Sequence, residues 1–478
     1  MAGTTSDPTR ILVVGGGYVG MYAALRLQSK LSRGEASITV VDPQPHMTYQ
    51  PFLPEAAAGS VEPRHVVVPL RTVLRRCHVL GGRVTGIKHA QRAATIEAND
   101  GHVEILGYDV LVLAPGSIAR TLPIPGLAEQ GISFKTIGEA IYLRNHVLSR
   151  LDAASSTLNP NLRRKLLTFL VVGGGYAGIE ALAELEDMAR YASRYYESIA
   201  PEDMRWVLVE ATRRIMPEVS PKMGFYTAER LTERGVELHL GTRVKTMEGG
   251  HVVLDDGTEF DADTIVWTAG VRANPMLQQT DLPLDERKRL RCTAALQVVG
   301  CPDAFSAGDC AAVPDLSKDD PNATCSPSAQ HAVRQAKVLA DNVVAHLRSG
   351  ELKEYEHKYV GSVASLGVYR GVAELYGVKL KGLPAWLLHR TYHISRMPTF
   401  NRKARILADW TGALLFRREV VALGQVNDPK ADFARAASPD VSRSPASQVR
   451  DESEAPVTGS PRYAASSAPV AQRQRQAP

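Results

Sequence analysis

A glycine-rich phrase occurs twice in this chain. "ILVVGGGYVGMYAALRL" runs from Ile11 to Leu27 and returns, little changed, as "FLVVGGGYAGIEALAEL" from Phe169 to Leu185. Each copy is an apolar run, then Gly-x-Gly-x-x-Gly, then helix-forming residues. Few folds accommodate that order. The apolar run predicts a buried parallel strand, at positions 11–14 in one copy and 169–172 in the other. The first glycine of each triplet, Gly15 or Gly173, permits a tight turn. The second, Gly17 or Gly175, lets the backbone approach a pyrophosphate, and the third, Gly20 or Gly178, lets the helix lie close on the strand. Free N–H groups and the positive dipole end of the helix then favour the anion.

Each copy also has a second half. "ASITVVDP" follows the first, a predicted strand ending in Asp42, and "MRWVLVEA" follows the second, ending in Glu210. An acid there accepts hydrogen bonds from the ribose hydroxyls of an adenine dinucleotide. The second spacing exceeds the usual distance of about 20 residues, because the helical stretch "GIEALAELEDMARYASRYYES" intervenes. Two complete sites imply one dinucleotide held permanently and another that visits, with a hydride passing between them. That is the arrangement of a flavin fed by a nicotinamide.

Composition narrows the setting. The chain of 478 residues is 44% hydrophobic and 22% charged, the balance of a globular protein large enough for two or three domains. A net charge of +5 is too small at this length to imply a nucleic-acid partner. None of Cys77, Cys292, Cys301, Cys310 and Cys325 forms a Cys-x-x-Cys pair, so neither a redox dithiol nor a zinc knuckle is expected. An odd number of thiols, a start "MAGTTSDPTR" without an apolar core, and no run near the roughly 18 apolar residues of a span all point to the cytoplasmic side.

Further pieces sharpen the reading. "LVLAPGS" (Leu111–Ser117) and "VWTAGV" (Val266–Val271) each close a Rossmann half with a strand and a small-residue turn, and "AFSAGDCA" places Gly308 and Asp309 after another strand. The set resembles the two-dinucleotide flavoprotein superfamily. That resemblance assigns the first phrase, with Gly308 and Asp309, to FAD and the second to NAD(P)H. "YQPFLPEAAAGSVEP" from Tyr49, "GGGYAGIE" with Glu180, "SAQHAVRQA" from Ser328 and "GSVASLGVYRGVAELYGVKLKGLPAWLL" from Gly361 are similar to the type II NADH dehydrogenases. These are single-subunit, non-proton-pumping NADH:quinone oxidoreductases of the respiratory chain. One departure is visible: Arg334-Gln335 stands where that family often has paired glutamines, which leaves quinone preference open. Glutathione-reductase-like relatives need a dithiol near the flavin. Sulfide:quinone oxidoreductases need cysteines that the interval from His78 to Arg291 lacks.

The resemblance implies two candidate catalytic residues. Glu180, two positions beyond the last glycine of the second phrase, would point toward flavin and nicotinamide and relay protons; a carboxylate favoured by the helix dipole is the alternative. Gln330 would line the quinone pocket, or else merely start a helix. His331 is left out of the catalytic set. Glu210 repels a 2′-phosphate and so selects NADH over NADPH, with Arg213 and Arg214 able to soften the choice.

The C-terminal region is basic and amphipathic. Between Lys381 and Val420 lie eight basic residues, Lys381, Arg390, Arg396, Arg402, Lys403, Arg405, Arg417 and Arg418, against two acids, Asp409 and Glu419. A helix over 385–396 would gather Leu387, Leu388, Thr391, Tyr392, Ile394 and Ser395 on one face, with His389, Arg390, His393 and Arg396 opposite. A helix over 403–418 would gather Ile406, Leu407, Trp410, Ala413 and Leu414. Such helices lie in a membrane interface rather than crossing it; a core stripe or a homodimer surface is the alternative. His389 and His393 have a zinc-binding spacing but no third ligand, so a solvated face is expected and no metal.

The expected fold is therefore α/β. Two Rossmann-like dinucleotide-binding domains make it up, the NADH domain (131–280) inserted in the FAD domain (10–130 and 281–350). A quinone and membrane module over 351–428 and a disordered tail over 429–478 complete the chain. The expected site is peripheral, on the cytoplasmic face of the cell membrane. A soluble FAD-dependent NAD(P)H reductase with a protein or oxygen acceptor is the rival reading.

Overall fold

The structure is a computed structural model and describes residues 7–357 and 361–423, together with Lys430, Phe433 and Ala434. The tail expected to be disordered over 429–478 lies, but for those last three residues, outside them.

Strand β1 (Thr9–Val14), helix α1 (Tyr18–Lys30) and strand β2 (Ala36–Asp42) open the chain. The short helix α2 (Leu53–Ala57) precedes β3 (His78–Lys88), β4 (Ala93–Ala98), β5 (Val103–Gly107) and β6 (Val110–Leu113). A second run supplies β7 (Gly131–Ser133), α3 (Ile137–Ser156), β8 (Thr168–Val172), α4 (Tyr176–Ala192), β9 (Arg205–Glu210), β10 (Val236–Leu240) and β11 (Thr264–Trp267). The chain then returns to the first sheet with β12 (Gln297–Val298) and β13 (Cys301–Ser306), and α5 (Ala329–Leu347) follows.

The first sheet has the order β12-β13-β6-β1-β2-β3-β4-β5, and the second β7-β11-β8-β9-β10. In both, the strand before the glycine phrase is central. Ile11 sits opposite Ile38 on one side and Val110 on the other, in parallel register. Phe169 sits opposite Trp206, and Leu170 opposite Ile265. A parallel strand flanked on both sides and covered on both faces must be apolar throughout, which is why "ILVV" and "FLVV" are uninterrupted. Phe169 stacks on Trp206 with ring centroids 4.4 Å apart. Strand order reverses between β1 and β6 and between β8 and β11. Such a reversal opens a crevice at the carboxyl ends of the strands.

Beyond α5 come an antiparallel sheet of β14 (Gly361–Ser365), β15 (Gly371–Leu375) and β16 (Val378–Lys381), then helices α6 (Leu383–Arg396) and α7 (Phe400–Leu415). The expected faces of these helices need correction. On α6 it is Ala385, Trp386 and His389 that are buried, while Leu387, Thr391 and Ser395 face solvent. The imidazole of His389 is therefore not on a solvated face. The α7 stripe divides: Ile406 and Trp410 enter the core, whereas Leu407, Ala413 and Leu414 are exposed. The physical reason lies beneath the helices. Buried Glu55 receives a hydrogen bond from Trp410 Nε1 at 2.7 Å and an ion pair from Arg390 at 3.1 Å. The Arg390 guanidinium is also sandwiched between the Trp386 and Trp410 rings, 3.9 and 4.6 Å from their centroids. Buried carboxylates thus turn the polar face of α6 inward. Among the described residues no helix is long and apolar enough to cross a membrane.

Candidate functional site

The first cradle forms where β13, β6, β1 and β2 end side by side. Gly15 has φ +95°, and a Cβ there would lie 2.3 Å from the carbonyl oxygen of Ala114. A Cβ on Gly20 would lie 1.8 Å from Gly15 O, so α1 can approach the turn only without one. Around Gly17, by contrast, nothing lies within 4 Å. Four helices start on side-chain caps, at Thr136, Asn159, Ser328 and Thr399, while α2 and α6 do not. Helix α1 starts on Gly17 with no side-chain cap, which leaves its first N–H groups facing open space.

Asp42, at the end of β2, accepts hydrogen bonds from Gly16 N–H at 2.6 Å and Gln44 N–H at 2.7 Å. Burial pushes its carboxyl pKa up despite these bonds. On the other flank Asp309 Oδ2 accepts from the Ser117 hydroxyl at 2.6 Å, and the Lys135 ammonium donates to the same hydroxyl. Burial lowers the Lys135 pKa, with the Asp309 charge opposing. Gly308, at φ +76°, donates its N–H to Gln335 Oε1 at 2.8 Å. An uncapped helix start, a cleared glycine turn and an acid at the second strand end fit the adenosine and pyrophosphate of FAD.

The second cradle repeats the first on β8, β9 and β11. Gly173 has φ +112°, and its Cβ would meet Thr268 at 2.7 Å; one on Gly178 would lie 1.9 Å from Gly173 O. Helix α4 starts on Gly175, again uncapped. Glu210 accepts from Gly174 N–H at 2.6 Å and Thr212 N–H at 2.8 Å, as Asp42 does in the first cradle. The acid therefore clamps the glycine turn. Glu218, which the sequence reading did not single out, reaches to 3.6 Å from where a Gly175 Cβ would be. Desolvation first, and then the Glu210 charge, raise its pKa. Arg214 donates to Pro217 O within its own loop.

Glu180 and Gln330 meet the same strand at opposite ends. Glu180 Oε1 accepts from Ser365 N–H at 2.9 Å, and Gln330 Nε2 donates to Gly361 O at 3.3 Å. Four residues of strand separate these contacts by roughly 13 Å. Strand β14 brings both toward one region without joining them. His389 Nε2 lies 3.1 Å from Glu180 Oε1, a neighbour the sequence reading did not foresee.

Comparison with known proteins gives this geometry a context. Residues 9–336 match the family described as pyridine nucleotide-disulphide oxidoreductase. The type II NADH:quinone oxidoreductase Ndh of Mycobacterium tuberculosis is 30% identical over 424 residues, 86% of this chain and 89% of that one. The chain belongs to the type II NADH:quinone oxidoreductase family. The Staphylococcus aureus type II NADH:quinone oxidoreductase is 29% identical over 385 residues, 79% of this chain and 92% of that one. In fold, the chain resembles the solved NDH2 of Plasmodium falciparum in complex with NADH, with a TM-score of 0.79 at 18% identity. That match covers 86% of this chain and 99% of the other.

The departure from the type II NADH:quinone oxidoreductase motif at Arg334-Gln335 resolves into two separate tasks. Gln335 is buried and pins Gly308, so it shapes the first cradle. Arg334 turns toward His357, 2.7 Å from its Nδ1. His331 contacts the Tyr355 hydroxyl at 2.9 Å, and its pKa is pushed down to about 4, chiefly by burial and then by His357. One turn beyond Glu180, α4 carries another buried acid. Glu184 accepts from the Ser365 hydroxyl at 2.8 Å and lies 3.8 Å from Arg418; burial, then the Glu55 charge, push its pKa up to about 7. Buried carboxylates inside an Ala-rich helix give no sequence signal of their partners, because those lie more than 180 positions away.

Proposed function

We propose that the chain is a peripheral, FAD-dependent NADH:quinone oxidoreductase, with FAD in the first cradle and NADH in the second. The pairing of two like-built cradles on two sheets carries the reading. The net reaction, NADH with quinone and one proton giving NAD⁺ and quinol, conserves two electrons and needs one proton from solvent. FAD bound in the first cradle supplies the hydride acceptor and the means of passing both electrons on. The chain supplies positioning, which accounts for roughly 7–11 kcal/mol of a barrier in well-oriented systems. Gly15, Gly17, Gly20, Asp42, Gly308 and Asp309 hold the flavin nucleotide, aided by Ser117 and Lys135. Gly173, Gly175, Gly178 and Glu210 hold NADH. Glu180 handles the proton, and Gln330 borders the quinone.

The domain assignment follows: 10–130 with 281–350 for FAD, 131–280 for NADH, and 351–428 for quinone and membrane. Leu387, Phe400, Leu407, Leu414, Leu415 and Phe416 are exposed, Phe400 at 84% and Phe416 at 75%. Arg396, Arg405 and Arg417 are exposed in the same region. Exposed apolar side chains with basic neighbours suit an anionic bilayer on the cytoplasmic face, each basic residue adding about 1 kcal/mol.

Anaerobic mixing of the yellow protein with NADH and then with a menaquinone or ubiquinone analogue tests the reading. The flavin colour is expected to bleach and then return. A colourless protein, or a bleached one that no quinone restores, overturns it. Lipid-independent turnover with a protein acceptor would instead mark a soluble reductase.

A further inference from the structure

We propose that His389, backed by His393, delivers a proton to Glu180 during turnover. His389 is then a positioning residue that acts through the carboxylate. The inference rests on the quinone-reductase reading above and adds the origin of the proton which that reaction consumes.

His389 is 1% exposed and Glu180 8%. The 3.1 Å contact between Nε2 and Glu180 Oε1 lacks hydrogen-bond alignment, and among the described residues Nδ1 has no hydrogen-bond partner. A buried polar group so poorly satisfied calls for a role beyond holding the fold. The two nitrogens of an imidazole allow one: a proton taken up at Nδ1 can leave from Nε2. His393 lies one helical turn on, its ring centroid 4.5 Å away and edge-on. It is partly exposed, and its Nδ1 lies 3.3 Å from the Tyr49 hydroxyl. Burial, and then the charge of His389, hold its pKa well below the ordinary imidazole range, so the pair does not carry two charges at once.

The titratable and charged groups around His389 are Glu180 and Glu184 on α4, Glu55 on α2, Tyr49, and Arg390 and His393 on its own helix. Glu180 is the carboxylate that meets the imidazole. Glu55 is engaged by Arg390 and Trp410, and Glu184 by Ser365. Each step moves one proton and breaks one N–H or O–H bond as the next forms: solvent to His393, His393 to His389, His389 to Glu180, and Glu180 to an oxygen of the quinone being reduced. The hydride from NADH brings both electrons, so the line carries none.

His389→Gln keeps hydrogen-bonding capacity without a titratable proton, and His389→Phe keeps ring shape alone. Turnover of the full chain with NADH is measured with a soluble quinone analogue and with ferricyanide, which takes electrons but no protons. Both variants are expected to lose roughly 10²-fold or more in the ratio of quinone to ferricyanide rates. Their quinone rate is expected to fall about tenfold per pH unit above neutrality, as solvent protons replace the relay. Glutamine at wild-type rate would reduce His389 to a hydrogen-bonding prop and overturn the relay alone. A wild-type protein without quinone turnover would overturn the function and the relay together. Melting temperatures of Glu180→Gln, His389→Gln and the double variant give a readout independent of turnover. The double variant is expected to melt near the less stable single one, and additive losses would overturn the pairing.

Discussion

Gly178 has less room than any side chain needs: a Cβ there would press on Gly173 O at 1.9 Å and on Thr268 Oγ1 at 2.6 Å. Gly20 is under the same constraint from Gly15 O. Gly20→Ala is expected to purify with little flavin, seen as lost visible absorbance. Gly178→Ala should keep its flavin and raise the NADH KM at least tenfold. Overpacking of this kind costs about 1–3 kcal/mol even in cores that can relax, and a carbonyl oxygen in a tight turn has little freedom to move. Glu210→Ser removes the carboxylate that clamps Gly174 and that, on the proposed reading, repels a 2′-phosphate. The ratio of kcat/KM for NADH over NADPH is expected to fall roughly 10-fold or more, since hydrogen bonds to charged groups are worth about 1.5–3 kcal/mol. Glycine spacing and the terminal acids were legible in sequence because backbone geometry alone demands them. Glu218 was not, since a loop of unknown path carries it to Gly175.

At the scale of elements, α6 and α7 are held by buried charge together with the apolar contacts of Trp386, Ile406 and Trp410. Glu55→Gln leaves the Arg390 guanidinium uncompensated under Trp386 and Trp410. It is expected to cost about 3–5 kcal/mol, and Glu55→Gln with Arg390→Met to recover most of it, both read by denaturant titration. Glu184 makes a prediction about pH. Its folded pKa of about 7 stands above the usual carboxylate value near 4.5, so the folded state binds the extra proton between those limits. Stability from this group is fully present below pH ~4.5 and declines as pH rises toward ~7, on the order of 1 kcal/mol per unit. Melting temperatures from pH 5 to 8 should therefore decline less in Glu184→Gln than in the wild type. The lengths of α6 and α7 were close to readable from periodicity, Leu383–Arg396 against 385–396 and Phe400–Leu415 against 403–418. Which face turns inward was not. A helical wheel ranks residues by hydrophobicity and cannot see an acid waiting on another element.

The whole molecule sets two nucleotide cradles beside a C-terminal region with exposed leucines and phenylalanines. Of its eight basic residues, Arg390 and Arg418 are turned inward, Arg418 donating to Asp187 and Ser60 at 2.8 and 2.9 Å. Bilayer attachment should thus depend on apolar contact as much as on charge. Replacing Leu414 and Phe416 by aspartate is expected to abolish co-sedimentation with anionic vesicles, since each buried apolar side chain is worth about 1.5–3 kcal/mol. Flavin bleaching by NADH should survive, and equal sedimentation of the variant would refute the attachment surface. What the amino-acid order determined unaided is the α/β architecture, its two nucleotide turns and their acids. These are local: a strand, a turn and a helix are contiguous, and sterics at three glycines specify them. What tertiary structure alone decided is the company kept by Glu180, with Ser365 and His389 arriving from 185 and 209 positions away, and the task of Gln335 at Gly308. Burial makes such partners matter, because a carboxylate withdrawn from water must find its hydrogen bonds among whatever the fold brings near.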